Sequence, residues 1–178
     1  MLTDAQLHAI SATITQAHRT LYLPALNVAF ETFQINTPQR IAAFLANVLH
    51  ESGSLHYVRE IYSGRSYEAR ADLGNNQPGD GMRFKGRGLL QITGRANYAI
   101  CGKALGLDLL NHPELLEQSQ AAVDSAAWFW NTHNCNALAD TDQFTNVRRR
   151  INGGLNGLAE CQAIYRNALS VLVPQLTL

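Results

Sequence analysis

The chain has 178 residues, 46% of them hydrophobic and 16% charged, with Lys+Arg 14 balancing Asp+Glu 14. That length and composition fit one globular domain able to bury its own core. Neutrality removes any net electrostatic drive toward nucleic acid or an anionic membrane, and no apolar run approaches a bilayer span.

In chain order, Thr3-Asp4 caps a first helical pattern with Leu7, Ile10, Ile14 and Ala17 on one face. Pro24 suits the first turn of a second helix bearing Leu26, Ala29, Phe30 and Phe33. Thr37-Pro38 is an N-cap followed by a first helical residue. The helix it opens carries Ile41, Ala42, Phe44, Leu45, Val48 and Leu49, is apolar around most of its girth, and is read as the central buried helix, ending near Ser52-Gly53.

From 53 to 88 the apolar period disappears. Asn75-Asn76-Gln77-Pro78-Gly79-Asp80-Gly81 is a strong loop signal. So long a loop-rich stretch between ordered helices reads as the wall of a site, with room for a short hairpin near 83–92. Helical patterns resume at Arg95–Leu105, at Pro113, at Ser119–His133, at Phe144–Ile151 and at Leu158–Val173. The expected architecture is a mainly α single domain over 1–178, with a loop-rich lobe about 53–88.

Cys101, Cys135 and Cys161 are an odd set without CxxC spacing, expected as buried, inert thiols in a reducing compartment. The N-terminus lacks the basic and apolar regions of a signal peptide, so the chain is expected in the cytosol. Of Arg148-Arg149-Arg150, two are expected on a solvated helix face. Trp128 and Trp130, on an apolar helix, are expected in the core.

Two segments carry chemistry. Glu51 ends the apolar helix, at the edge of a low-dielectric wall that suits a proton donor. Glu60 follows nine positions later, beyond a glycine break that can bring the two acids to opposite sides of a cleft. Glu60 could instead pair with Arg59 or Arg65. Glu68 is a rival second carboxylate, and Asp72 and Asp80 are weaker ones, since Asp in such runs usually makes turns. Gln91, Thr93, Asn97, Tyr98 and Asn152 offer donors and acceptors suited to sugar hydroxyls and N-acetyl groups. Paired acids with such groups point to glycoside hydrolysis. His50 and His56 lack H-E-x-x-H spacing, and neither a metal nor a cofactor is implied.

The runs Phe44–Gly53, Tyr57–Glu60, Gly86–Thr93 and Asn97-Tyr98 resemble glycoside hydrolase family 19, which comprises chitinases and phage endolysins. Tyr67–Asn75, residues 78–81 and Ile151–Leu158 are similar to its phage and prophage branch. The resemblance implies a lysozyme-like, two-lobed helical fold and inverting hydrolysis of β-1,4 links between N-acetylated amino sugars. It casts Glu51 as general acid, Glu60 as base, Thr93 as holder of the water, and Gln91, Asn97, Tyr98 and Asn152 as sugar-binding positions, with Arg87 beside them. It further implies a peptidoglycan-cleaving endolysin released through a holin-type pore, and a single domain without heptads is expected to be a monomer. A chitinase acting on chitin oligomers and a non-catalytic amino-sugar-binding module are the alternatives. Cys161 stands where relatives often carry Arg, so a different base, Arg87 or one of Arg148–Arg150, is expected to steady an acid here. The loop between Glu60 and Gly86 is short beside many relatives, which leaves Glu60 and Glu68 both open as the second carboxylate.

Overall fold

The computed structural model describes residues 1–173. Residues 174–178, the tail of the single domain expected over 1–178, lie outside the described residues. The chain is mainly helical: α1 (Asp4–Ile10), α2 (Gln16–Thr32), α3 (Pro38–Glu51), α4 (Asp80–Arg83), α5 (Arg95–Leu105), α6 (Ser119–Thr132), α7 (Cys135–Asp140), α8 (Phe144–Asn152) and α9 (Leu158–Leu172).

Thr3 caps α1 in a reciprocal capping box with Gln6. The expected first helix is cut short after Ile10, because Thr15 accepts from the His18 amide and starts α2 there. Pro24 consequently lies inside α2 rather than at its start. It sits on the exposed side, and the helix runs through it with one backbone bond fewer.

Thr37 accepts from the Arg40 amide and Pro38 opens α3. Ala42 through Leu49 are all buried. A helix buried on every side can only be central, and α3 packs against α7, α8 and α9. Phe44 meets Phe30 and Trp130 edge-on, at ring-centroid distances of 5.7 and 5.5 Å. Helix α7 carries no strong pattern of its own. It follows Asn134, which takes the left-handed conformation that ends α6.

The buried residues form two clusters. The larger contains α3 and its neighbours. The smaller gathers Phe84, Ile92, Tyr98, Cys101, Leu109 and Leu116 around α5. Helix α6 serves both, with Ala121 in the smaller cluster and Ala122, Val123 and Ala126 in the larger. Two cores sharing one helix make two lobes, and the loop-rich stretch 53–94 runs between them.

That stretch contains single 3₁₀ turns at Arg65–Tyr67 and Ala71–Leu73 and the short α4. The hairpin expected near 83–92 reduces to isolated bridges, Arg59 with Arg87 and Arg87 with Ile92. Gly88 and Gln91 take left-handed backbone angles, which a regular ladder does not accept. All three cysteines are buried and unpaired. Burial pushes the thiols up, Cys101 and Cys135 to about 12 and Cys161 to about 11. No described helix is long and apolar enough to cross a membrane.

Candidate active site

Glu51 is the last residue of α3, and 25% of its side chain is exposed. Its Oε1 accepts from Arg148 Nη1 at 2.5 Å. The Arg148 side chain is only 1% exposed, so a buried cation demands full hydrogen bonding. It has it: Nε and Nη2 donate to the Asn156 carbonyl at 2.9 and 2.6 Å, and Nη1 also reaches Asn47 Oδ1 at 3.4 Å. Asn47 is itself anchored on the Ala43 carbonyl. Of the bases open in the sequence, Arg148 is the one that meets Glu51, while Cys161 lies buried beside the pair. Arg149 and Arg150 are exposed, as expected for two of the three.

After Glu51 the chain reverses through Gly53, Ser54 and Leu55, which have φ of 56, 61 and 67°. Left-handed Ser and Leu cost about 1–2 kcal/mol each. Ser52 offsets part of this: its hydroxyl donates to the Val48 carbonyl at 2.7 Å and accepts from the Leu55 amide at 2.9 Å. The reversal sends residues 57–60 alongside 86–88. The Glu60 amide donates to the Gly86 carbonyl at 3.0 Å, and the Gly88 amide to the Val58 carbonyl at 2.9 Å.

Glu60 thereby arrives over Gly86. A Cβ on Gly86 would lie 2.6 Å from Gln91 Oε1, 3.2 Å from Glu60 Oε2 and 3.3 Å from Thr93 Oγ1. Three of the residues singled out in the sequence therefore converge on one bare Cα, where glycine alone leaves them room. Tyr67 donates its phenol to Glu60 Oε2 at 3.0 Å. Burial, then this hydrogen bond to a carboxylate, pushes the Tyr67 phenol up, so it stays a donor. Glu60 Oε1 is buried and accepts no hydrogen bond among the described residues. Such an oxygen is costly to desolvate and invites a functional reason.

Hollows flank Gly86. One, of about 390 Å³, is lined by His56–Ile61, Lys85 and Glu117, and so includes Glu60. The other, of about 320 Å³, is lined by Gln91, Thr93, Asn97, Trp128, Phe129 and His133 among others. Asn97 donates to the Thr93 carbonyl at 2.7 Å, which steadies the turn. Trp130 is fully buried in the core, as expected; Trp128 instead forms part of this second wall. Asn152 is exposed at the end of α8, on the loop that supplies the Asn156 carbonyl to Arg148.

Tyr98 and Arg87, expected beside the sugar, are buried and line neither hollow. Tyr98 is fully buried, donates to the Lys85 carbonyl at 2.6 Å and accepts from Arg87 Nη1 at 3.1 Å. Arg87 is 8% exposed and pairs with Glu117 at 2.8 Å. Both brace the turn from beneath, because a buried guanidinium and phenol satisfy each other where water cannot.

Glu68 is also fully engaged. Its two oxygens accept from the Gly79 and Gly81 amides at 2.7 and 2.8 Å. It ties a loop rather than facing either hollow. Arg59 pairs with Glu117, not with Glu60. Asp72 pairs with Arg70, and Asp80 accepts from Arg95 and from the Asn76 and Gln77 amides. Tyr67 was not legible as a site residue, since a tyrosine seven positions from an acid carries no periodic signal.

The family model described as chitinase class I, of glycoside hydrolase family 19, matches residues 22–146. The chain belongs to glycoside hydrolase family 19. A glycosyl hydrolase family 19 domain-containing protein of Haemophilus influenzae is 42% identical over 108 residues, 60% of this chain and 52% of its own. Endochitinase At2g43610 of Arabidopsis thaliana is 43% identical over 117 residues, 65% of this chain and 40% of its own. The chain thus spans about half the length of the curated relatives it matches. Among solved structures, a bacterial family 19 chitinase is 29% identical with a TM-score of 0.77, covering 96% of this chain and 94% of its own. A class IV chitinase of Zea mays is 26% identical with a TM-score of 0.74, covering 99% and 97%. The mainly helical, lysozyme-like fold of the family is therefore this chain's fold.

Proposed function

We propose that this domain hydrolyses β-1,4 links between N-acetylmuramic acid and N-acetylglucosamine in peptidoglycan, with inversion at the anomeric carbon. The observation that carries the hydrolytic chemistry is the convergence of Glu60, Gln91 and Thr93 on Gly86, with Glu60 Oε1 left unbonded. A base needs one oxygen free to take a proton and the other fixed in place. Tyr67 fixes Oε2.

In this reading Glu51 donates its proton to the glycosidic oxygen as the C–O bond breaks. Arg148 holds the carboxyl by Oε1 and thereby sets its direction. Glu60 removes a proton from a water that attacks the opposite face of the sugar ring. The Thr93 hydroxyl helps hold that water, and Gln91 and Asn97 bind the sugar's amide and hydroxyl groups. Inversion calls for carboxyls about 6.5–9.5 Å apart with the water between them. In this reading substrate and water lie between the Glu51 and Glu60 carboxyls.

The preference for peptidoglycan rests on the likeness of residues 67–75, 78–81 and 151–158 to phage and prophage lysins. In that setting the protein is a monomer held in the host cytoplasm until a holin-type pore releases it to the wall. A chitinase is the second reading, favoured by the endochitinases among its relatives. The test is mass spectrometry of purified sacculi digested with wild type and with Glu51→Gln. Disaccharide-peptides with reducing N-acetylmuramic acid ends, absent with the variant, support the proposal. Cleavage of chitin oligomers with nothing released from sacculi sinks it in favour of the chitinase.

A further inference from the structure

Helix α8 turns its consecutive arginines in different directions. Arg148 goes inward to Glu51, whereas Arg149 and Arg150 face a hollow of about 400 Å³ that they line with Leu138, Gln143 and Asn146. Neither guanidinium meets a carboxylate among the described residues, unlike the adjacent Arg148, although Arg65, Arg83 and Arg166 share that lack. Both are nonetheless held in place. Arg149 Nη1 donates to Asn146 Oδ1 at 2.6 Å, and Asn146 donates in turn to Gln143 Oε1 at 2.7 Å. Arg150 Nη1 donates to the His133 carbonyl at 3.2 Å. Each head is bonded to a neutral acceptor and keeps further N–H donors unused. Planar forks of this kind match a carboxylate in bidentate geometry.

The position of the hollow matters as much as its charge. His133 stacks on Phe129 with ring centroids 3.8 Å apart, and both line the hollow that holds Gln91, Thr93 and Asn97. The same His133 presents its carbonyl to Arg150. One residue thus belongs to the wall beside Gln91, Thr93 and Asn97 and also contacts Arg150. A polymer of N-acetylglucosamine is neutral and has nothing to place there. A muramyl unit carries a peptide stem on its O3, and that stem bears free carboxylates.

We propose that Arg149 and Arg150 form an anion pocket that takes the stem carboxylates of a muramyl glycan lying in the neighbouring hollow. The pocket then sets the preference for stem-bearing peptidoglycan over chitin. This rests on the peptidoglycan reading above.

The test is the double variant Arg149→Gln/Arg150→Gln, assayed on sacculi with intact stems, on glycan strands stripped of stems by an amidase, and on chitin oligomers. Both residues are exposed, so the fold is expected to survive, and a melting curve checks it. The expected result is a loss of about tenfold in kcat/KM on intact sacculi, the scale of a charge-assisted hydrogen bond, with any activity on the other substrates changed less than about twofold. Raising salt from about 50 to about 300 mM should reproduce the loss in wild type and leave the variant unchanged. Equal loss on every substrate, or no loss on intact sacculi, overturns the pocket. If wild type cuts only chitin oligomers, the peptidoglycan reading itself has failed. Calorimetric titration with an isolated stem tetrapeptide then judges the pocket separately: binding lost in the double variant supports it, and no binding by wild type overturns it.

Discussion

The two carboxyls are supported in opposite ways. Glu51 ends a rigid buried helix and is gripped by a buried cation that is itself saturated with hydrogen bonds. Glu60 follows the left-handed turn at 53–55 and is steadied by a neutral phenol and by its own backbone, with one oxygen buried and unbonded among the described residues. A charged partner fixes a group strongly and costs much to remove. A neutral partner positions more gently and leaves the carboxylate free to accept a proton. Under the proposed roles, the difference suits a donor that must be aimed at one atom and a base that must receive from a mobile water.

The most severe way to probe this contrast is to neutralise each acid. Glu51→Gln and Glu60→Gln should each lower the rate of bond cleavage about 10²–10⁴-fold, with unchanged circular dichroism. Rates from release of reducing ends, set against Glu68→Gln, sharpen the comparison. Glu68 ties loop amides, so its variant should lose about 1–2 kcal/mol in urea unfolding while keeping its turnover per folded molecule. A rate loss in Glu68→Gln equal to that in Glu60→Gln would move the base to Glu68.

Next in size is the ion pair that braces the smaller lobe. Asp80 is 1% exposed, and Arg95 foremost holds its carboxyl below the usual range. A carboxyl depressed in the folded state stabilises fully above its unfolded pKa near 3.8, and that stability is lost as pH falls through the lower folded value. The melting temperature of wild type should thus drop below about pH 4. Asp80→Asn should be less stable by about 3 kcal/mol at pH 7, because Arg95 is left unpaired, and should show a shallower acid limb.

Removing Arg148's charge as Arg148→Met should cost about 2–3 kcal/mol, since the Asn156 carbonyl loses its donors and Glu51 is still partly solvated. The smallest expected effect is Tyr67→Phe, about 1 kcal/mol in stability. If its rate falls about tenfold while Arg148→Met retains wild-type turnover per folded molecule, the contrast between the supports is reversed.

Much of this was legible in the residues. Thr37-Pro38 and the apolar run from Ile41 to Leu49, interrupted by Asn47 alone, specify a buried helix through local capping and burial, wherever the rest of the chain goes. Gly86-Arg87-Gly88 with Gln91 and Thr93 announces a turn carrying polar groups. Pro24 has a strong local preference for a helix start that packing along α2 overrides, and α7 leaves little trace in the sequence because it is brief and held by neighbours. Arg87 and Tyr98 look like surface groups in a polar stretch, yet they satisfy each other beneath the turn.

The sequence by itself determined the central helix, the loop-rich wall, the family likeness and the candidate acids, because caps, periods and turn residues act over a few positions. Tertiary structure alone decided which arginine grips Glu51, which acid is left with an unbonded oxygen, and that Glu60, Gln91 and Thr93 share the space above Gly86. Those outcomes depend on contacts between residues as far apart as 51 and 148. Burial selects among chemically equal candidates there, since a desolvated charge or carboxylate must find its partner wherever the fold delivers one.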